Sequence, residues 1–374
     1  MKIGIVCYPS YGGSGGFATS LAQELANRNH EIHLISYEIP FKLSQNWPEN
    51  ITFHKVDAIE YPLFKDSQYT IALTNKIAEV IREEKLDIVH AHYAIPHAVS
   101  VSMARKMVRK KVKVITTLHG TDTTIMGKDQ NLNQTAEFAL KECDALTAVS
   151  DSLAKEAKKN YNLKTQPHII YNFVTTQKTS RSKLRSLKNI FAETDEKILI
   201  HVSNFRPVKR VQDVIKIFKN VSNVIPSKLL LVGDGPDMPK IKRIVKKYKL
   251  ESKVHFLGFQ LDVAKLLSMS DIFLLPSQKE GFNLSALEAL SCGVPVIGSN
   301  TLGMSEMITD NKTGILSKIG NVDQMSKNAI DILSDKNKWL SMSINGLNAV
   351  KKKYRPDIIV PQYIELYKKV LKSK

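Results

Sequence analysis

The chain is poor in cysteine, with only Cys7, Cys143 and Cys292 in 374 residues. These lie far apart and form no CxxC or metal-like spacing, which excludes a disulfide scaffold and a zinc ribbon and suits a reducing compartment. Aromatic residues are 7% of the chain and do not interleave with a basic stretch, so no nucleic-acid partner is expected. No apolar run nears the ~18 residues that a membrane-spanning helix needs, so no stable membrane insertion is expected. The chain opens on the strand-like MKIGIVCY, not on a basic region followed by a long apolar segment, and the expectation is a soluble, cytoplasmic protein. Acidic residues are also scarce. The 54 Lys and Arg outweigh 36 Asp and Glu, for a net charge of +18. That surplus calls for an anionic partner or a solvated basic surface.

What is present is the ordinary globular mix, 43% hydrophobic and 24% charged. At roughly 150 residues per domain the length suggests two domains. Short Val- and Ile-rich runs predict buried parallel strands at Lys2–Cys7, Glu31–Ser36, Asp87–His90, Lys113–Leu118 and Ala145–Val149. A helix is predicted over Ile71–Glu84. Residues 164–189 are polar, basic and weakly periodic, and then the pattern restarts. Strands are predicted at Lys197–Val202, Leu229–Val232, Val254–Leu257, Ile272–Leu275 and Val294–Ile297, with a helix over Val211–Val221. The alternation predicts an α/β protein of two doubly wound, Rossmann-like domains. The boundaries are placed at 1–172 and 173–356, with a last helix from about 357 to 374 returning to the first domain.

The basic surplus is uneven, since residues 181–250 alone carry a net +11. A helix over Ile241–Leu250 would bury Ile241, Ile244, Val245 and Tyr248 and leave five cations on a solvated face. A second cluster, Arg105 to Lys113, reads as a basic surface helix that could meet a membrane.

Two motifs carry chemistry. Gly13-Ser14-Gly15-Gly16-Phe17-Ala18 follows a strand and precedes a helix. Glycines there let backbone approach a ligand, and a helix N-terminus offers N–H groups to an anion. A tight turn beneath a helix would use glycine as well. Glu38 lies near the end of the second strand, where a dinucleotide-binding acid would sit. The second motif, Glu280-Gly281-Phe282-Asn283-Leu284-Ser285-Ala286-Leu287-Glu288, runs from a strand through a loop into a helix. Its acids are too far apart to form one close pair but can reach opposite ends of an extended ligand. As an alternative, Glu288 is an ordinary helix-surface acid. The histidines His90, His92 and His97 flank a strand end and a Pro96 turn, a setting that favours packing or acceptor-loop roles over metal ligation, and no metal is expected.

EGFNLSALEA followed by CGVPVI resembles the nucleotide-sugar site of retaining glycosyltransferases with the GT-B fold, in which two Rossmann-like domains face each other across a cleft. YGGSGG, VSNFRPVKR, LLLVGDGP, VHFLGFQ, GMSEMI and NKTGIL extend the resemblance over nearly the whole chain. CYPSYGGSG, LDIVHAHYAIPHA, TTLHGTDTT, IYNF and HVSNFRPVKRVQDVI are most similar to members that transfer N-acetylglucosamine from UDP-GlcNAc to L-malate, the opening step of bacillithiol biosynthesis.

The resemblance implies roles. Arg206 and Lys209 would neutralise the UDP diphosphate, and Glu288 would bind the ribose. Glu280 would hold sugar hydroxyls, with N–H groups of Phe282, Asn283 and Leu284 on phosphate or sugar. Phe259 and Gln260 would line the uracil pocket. Gly13, Ser14 and Gly15 would approach the donor phosphate, Ser14 also the acceptor. Tyr93, Thr117 and His119 would shape the acceptor side, His119 would orient the donor sugar, and Lys42 or another basic group would meet the malate carboxylates. The implied chemistry is front-face transfer with retention, without a metal or other cofactor; no DxD motif closes a strand. The chain departs from the family at Asn204, where Arg is common, and at Asn283, where Gly is usual. A homo-oligomer is compatible with the sequence. The alternatives are the same fold with a membrane-lipid acceptor, an NAD-dependent dehydrogenase built on GxGxxA and Glu38, and a basic nucleic-acid-binding protein.

Overall fold

The computed structural model describes residues 1–10, 13–40, 43, 47–58, 68–108, 111–175 and 181–373, with the backbone alone for 181–185. They form two compact units, Met1–Phe173 with Pro356–Lys374, and Val174–Arg355.

The first unit is built on seven parallel strands: β1 (Lys2–Val6), β2 (Glu31–Ser36), β3 (Ile51–Lys55), β4 (Ile88–His92), β5 (Lys113–Leu118), β6 (Ala145–Ala148) and β7 (His168–Ile169), in the order β3-β2-β1-β4-β5-β6-β7. The second has six: β8 (Lys197–Val202), β9 (Ser227–Val232), β10 (Val254–Gly258), β11 (Ile272–Leu275), β12 (Val296–Ser299) and β13 (Gly314–Ser317), in the order β10-β9-β8-β11-β12-β13. Every strand pair is parallel. Both sheets reverse direction of growth between their first and fourth strands, the doubly wound pattern. All five residues of β4 and all four of β11 are buried, as apolar strands covered on both faces must be.

Helices cover the sheets through one apolar stripe each. In Val211–Ser222, Val214, Ile215, Phe218 and Val221 are fully buried and join Leu199, Leu229 and Leu231 of the sheet in one core. The helix Met238–Lys247 buries Ile241 and Val245 and packs Ile244 and Tyr248 partly against that core, leaving Lys242, Arg243, Lys246 and Lys247 exposed. The basic run there is a solvated helix face.

Several expectations change. The glycine stretch is not a loop ahead of a helix: the helix Gly13–Ala26 begins within it. The weakly periodic segment 164–189 holds β7 and most of the helix Arg181–Phe191. The basic cluster from Arg105 to Lys113 is not one helix, because Arg105 and Lys106 lie in the helix Val99–Val108 while Lys113 opens β5. Arg105 and Lys113 pair with Asp144 at 2.9 and 3.4 Å, and Lys106 pairs with Glu142 at 3.1 Å. Cations held by acids in this way have less charge to offer an anionic surface. Among the described residues, no helix is long and apolar enough to cross a membrane.

Candidate active site

Nearly all the residues singled out from the sequence follow the C-terminal ends of strands, the edge at which doubly wound sheets bind ligands. In the second unit, Asn204, Arg206 and Lys209 follow β8, Phe259 and Gln260 follow β10, and Glu280 to Asn283 follow β11. β8 and β11 are neighbours at the reversal of strand order.

The loop after β8 makes a short turn, Pro207–Lys209, and Arg210 then enters the next helix with a left-handed φ of 51°. This turn sends Lys209 toward the loop after β11. Its Nζ lies 2.8 Å from Glu280 Oε1, with the two side chains only 13% and 6% exposed. Burial alone would push the Glu280 carboxyl up, but the adjacent Lys209 ammonium, together with the Ser277 and Asn283 side chains, holds it below the ordinary range. The Glu280 carboxyl is therefore ionised at neutral pH. Arg206, partly exposed, donates from Nε to Asn204 Oδ1 at 3.2 Å. The asparagine that stands where the family often has arginine thus holds the neighbouring guanidinium.

Asn283 caps the helix Leu284–Ser291. Its side chain accepts from the Ala286 N–H at 2.8 Å, the role that Asn performs at helix starts. Phe282 is buried with its ring edge-on to Tyr354 at 5.9 Å, so it braces the loop from within. Leu284 opens the helix and Glu288 lies within it, partly exposed. Phe259 is 67% exposed, and Gln260 donates to Leu257 O at 2.6 Å.

Gly303 is a residue that the sequence reading did not single out. A Cβ there would stand 2.2 Å from Gly281 O and 2.6 Å from Glu280 O. The helix Leu302–Met307 therefore abuts the loop that carries Glu280 and admits no side chain at that point. GMSEMI had carried the resemblance, but its packing partner could not be read from the chain.

The first unit is different in kind. Gly13, Ser14 and Gly15 form the first turn of a helix that follows β1; Gly13 is exposed, Ser14 partly exposed and Gly15 buried. A Cβ on Gly15 would lie 2.2 Å from Tyr8 O, so part of the glycine signal reflects the chain packing on itself. Tyr93 and His119 follow β4 and β5, and their rings stack at 6.1 Å. His119 Nε2 is 3.0 Å from His92 Nδ1, and Phe17 stands edge-on at 5.9 Å. Burial pushes His119 and His90 down to about 3 and His97 down to about 4. It drives His92 well down too, helped by the neighbouring imidazoles. All four are neutral at pH 7. His97 Nδ1 meets the His92 carbonyl and His90 Nδ1 meets Tyr367 at 2.7 Å, so the histidines pack and hydrogen-bond to one another and to the last helix.

Thr117 differs from the expected place on the acceptor side. It is fully buried, with its hydroxyl 2.7 Å from His90 Nε2 and 2.6 Å from Thr147 Oγ1. Its hydrogen bonds support the sheet behind His119. The expected contact from Lys42 falls outside the described residues. For His92 the sequence offers a packing or acceptor-loop role, but not that it is the direct partner of His119. Glu38 is exposed just beyond β2.

The description Glycosyltransferase Family 4 belongs to the family model that matches residues 11–178, and Glycosyl transferases group 1 to the one that matches 183–348. The N-acetyl-alpha-D-glucosaminyl L-malate synthase of Bacillus anthracis is 43% identical over 374 residues, covering all of this chain and 98% of that one. An uncharacterized glycosyltransferase of Methanocaldococcus jannaschii is 25% identical over 93% of this chain and 92% of its own. Among solved structures, Anabaena HepE in complex with UDP and glucose superposes with a TM-score of 0.83 at 19% identity, over 99% of this chain and all of that one. WaaG, a glycosyltransferase involved in lipopolysaccharide biosynthesis, gives a TM-score of 0.79 at 16% identity, over 98% and 99%. No part of the dehydrogenase reading is needed to account for the glycine-rich helix start. The chain belongs to the glycosyltransferases, its first half to family 4 and its second to group 1, and it has the GT-B fold.

Proposed function

We propose that this enzyme transfers N-acetylglucosamine from UDP-GlcNAc to the hydroxyl of L-malate with retention, the opening step of bacillithiol biosynthesis in the cytoplasm. The observation that carries the reading is the 43% identity to the Bacillus anthracis malate synthase along the whole of both chains.

The geometry supports a division of labour. The Lys209–Glu280 pair has no net charge, so a diphosphate beside Lys209 brings the negative charge that Arg206 would offset. As the glycosidic bond breaks, charge grows on the leaving phosphate oxygen, and a fixed ammonium stabilises that state more than the ground state. Glu280, held by Lys209, would accept hydrogen bonds from sugar hydroxyls. The Asn283 cap claims the Ala286 amide, so an anion at this helix would be met by amides nearer to Asn283. Glu288 would take the ribose, and Phe259 and Gln260 the base.

In front-face transfer the leaving phosphate oxygen takes the acceptor's proton. No side chain need act as covalent nucleophile, in contrast to the paired carboxylates of retaining glycosidases. No metal is assigned to this step, because Arg206, Lys209 and helix amides supply the countercharge. The neutral His119 would hydrogen-bond to the donor sugar and would not attract malate by charge. The carboxylates of malate need a cation, and Lys42 is the candidate from the sequence.

The test is incubation with UDP-GlcNAc and a panel of hydroxy acids, reading UDP release and product mass. UDP release dependent on malate, with a product of one N-acetylhexosamine plus malate, is expected. Strict dependence on anionic vesicles, with malate inert, would favour a lipid acceptor instead.

A further inference from the structure

At the outer edge of the first sheet, three side chains with metal-ligating atoms converge. β2 and β3 pair with Ile35 opposite His54. His33 lies two residues before Ile35 and so faces the same side of the sheet. The helix Tyr69–Glu83 packs against both strands, and Glu84 is its C-cap. A ring nitrogen of His33, one of His54 and a carboxylate oxygen of Glu84 all lie within 4.8 Å of one another. His33 is buried and the other two are partly buried.

Three features set this group apart from an ordinary polar patch. His33 Nδ1 and His54 Nε2 are 3.0 Å apart. Two nitrogens on one tetrahedral zinc ion, each ~2.0–2.1 Å from it, stand roughly 3.3 Å apart, so the pair needs only a small opening. Second, His33 Nε2 lies 3.2 Å from Glu31 Oε1, and Glu31 is held in turn by Lys2 at 2.9 Å. A carboxylate on the far nitrogen puts the proton there and leaves the Nδ1 lone pair aimed at the cluster, the arrangement that orients metal-bound histidines. Third, Glu84 stands at the C-terminal end of a helix, where the helix dipole disfavours a carboxylate and a cation beside it would relieve the cost.

We propose that His33 Nδ1, His54 Nε2 and the Glu84 carboxylate bind one divalent ion of the zinc class. Two imidazoles and a carboxylate suit zinc and the late first-row metals better than calcium or magnesium, which prefer all-oxygen shells. The ion ties the edge strand β3 to β2 and to a helix end, which makes it a structural clamp. None of its ligands belongs to the candidate active site, so this assignment and the transferase reading stand or fall separately.

The full chain, stripped with chelator and dialysed, is titrated with zinc alone by calorimetry and with cobalt by visible absorption, and melted with and without zinc. The wild type should take up one saturable equivalent, develop cobalt d–d bands and melt at a higher temperature with zinc. Glu84→Gln and His54→Asn, at partly buried positions, should each weaken binding at least tenfold and lose the thermal shift. Glu31→Gln should weaken it about 10- to 100-fold through the orientation of His33. No saturable equivalent in the wild type would overturn the assignment. So would Glu84→Gln and His54→Asn proteins that bind as tightly as the wild type, since the ion would then sit elsewhere.

Discussion

The two units share a strand order and differ in their chemistry. In both, the residues that matter follow neighbouring strands at the reversal of the sheet, β1, β4 and β5 in one and β8 and β11 in the other. The second unit places charge there, with a buried Lys209–Glu280 ion pair and Arg206 held by Asn204. The first places neutral, buried imidazoles, linked by hydrogen bonds to one another, to Thr117 and to Tyr367. The same scaffold thus carries charged side chains at the strand ends of one unit and neutral imidazoles at those of the other. Function follows from the side chains at the strand ends and not from the topology.

The contrast can be broken most directly at Glu280. Glu280→Ala should abolish transfer and also destabilise the second unit by about 3–5 kcal/mol, because it leaves the buried Lys209 ammonium without its partner. UDP release and urea unfolding measure the two effects; wild-type turnover would show that the sugar-binding role is misplaced. Lys209→Ala should weaken UDP binding by about 1.5–3 kcal/mol, the range of a charge-assisted contact. Calorimetry with UDP checks it, and unchanged affinity would remove Lys209 from the diphosphate site. Gly303→Ala should cost about 1–3 kcal/mol of stability by overpacking and reduce turnover by displacing the Glu280 loop.

Acid sharpens the comparison next. His90, His97 and His119 titrate at about 3 to 4 when folded and near 6.5 when unfolded. The unfolded chain therefore binds their protons first, and stability falls as pH drops from about 6.5 toward 4. His92 acts in the same direction. Asp122, raised to about 6 by burial, opposes them, one acid against four bases. Glu280, held low, contributes stability above its unfolded value that is lost only at lower pH. In the second unit burial pushes His201 down to about 4, which acts in the same direction as the four imidazoles of the first. With four such imidazoles against one, the first unit should lose more of its protection from hydrogen exchange than the second as pH falls from about 6.5 toward 4; equal loss would contradict this. The smallest effect expected is none, in that chelator should leave the rate of transfer unchanged in assays well below the melting temperature.

Much of the framework was legible in the chain. Glu31–Ser36, Lys113–Leu118, Lys197–Val202 and Ile272–Leu275 are strands with the expected limits, since buried parallel strands need continuous apolar runs. β3, β7 and β13 were missed. ITFHK in β3 carries His and Lys on an edge strand and buries only Ile51, which blurs the run. The helix Arg181–Phe191 was missed although Leu184, Leu187, Ile190 and Phe191 recur at helical spacing, because cations crowd between them.

The amino-acid sequence by itself determined the repeated α/β pattern, the glycine-rich stretch between the first strand and its helix, and the Glu280–Glu288 segment, because these depend on periodicity and on neighbours along the chain. Only the tertiary structure decided that Lys209 meets Glu280 across 71 positions, that His119 meets His92, and that Tyr367 reaches His90 across 277. It also withdrew Thr117 into the core and gathered His33, His54 and Glu84 at a sheet edge. Pairings of this kind are set by strand order and register, which fix the separation in space of residues whose separation along the chain carries no such information.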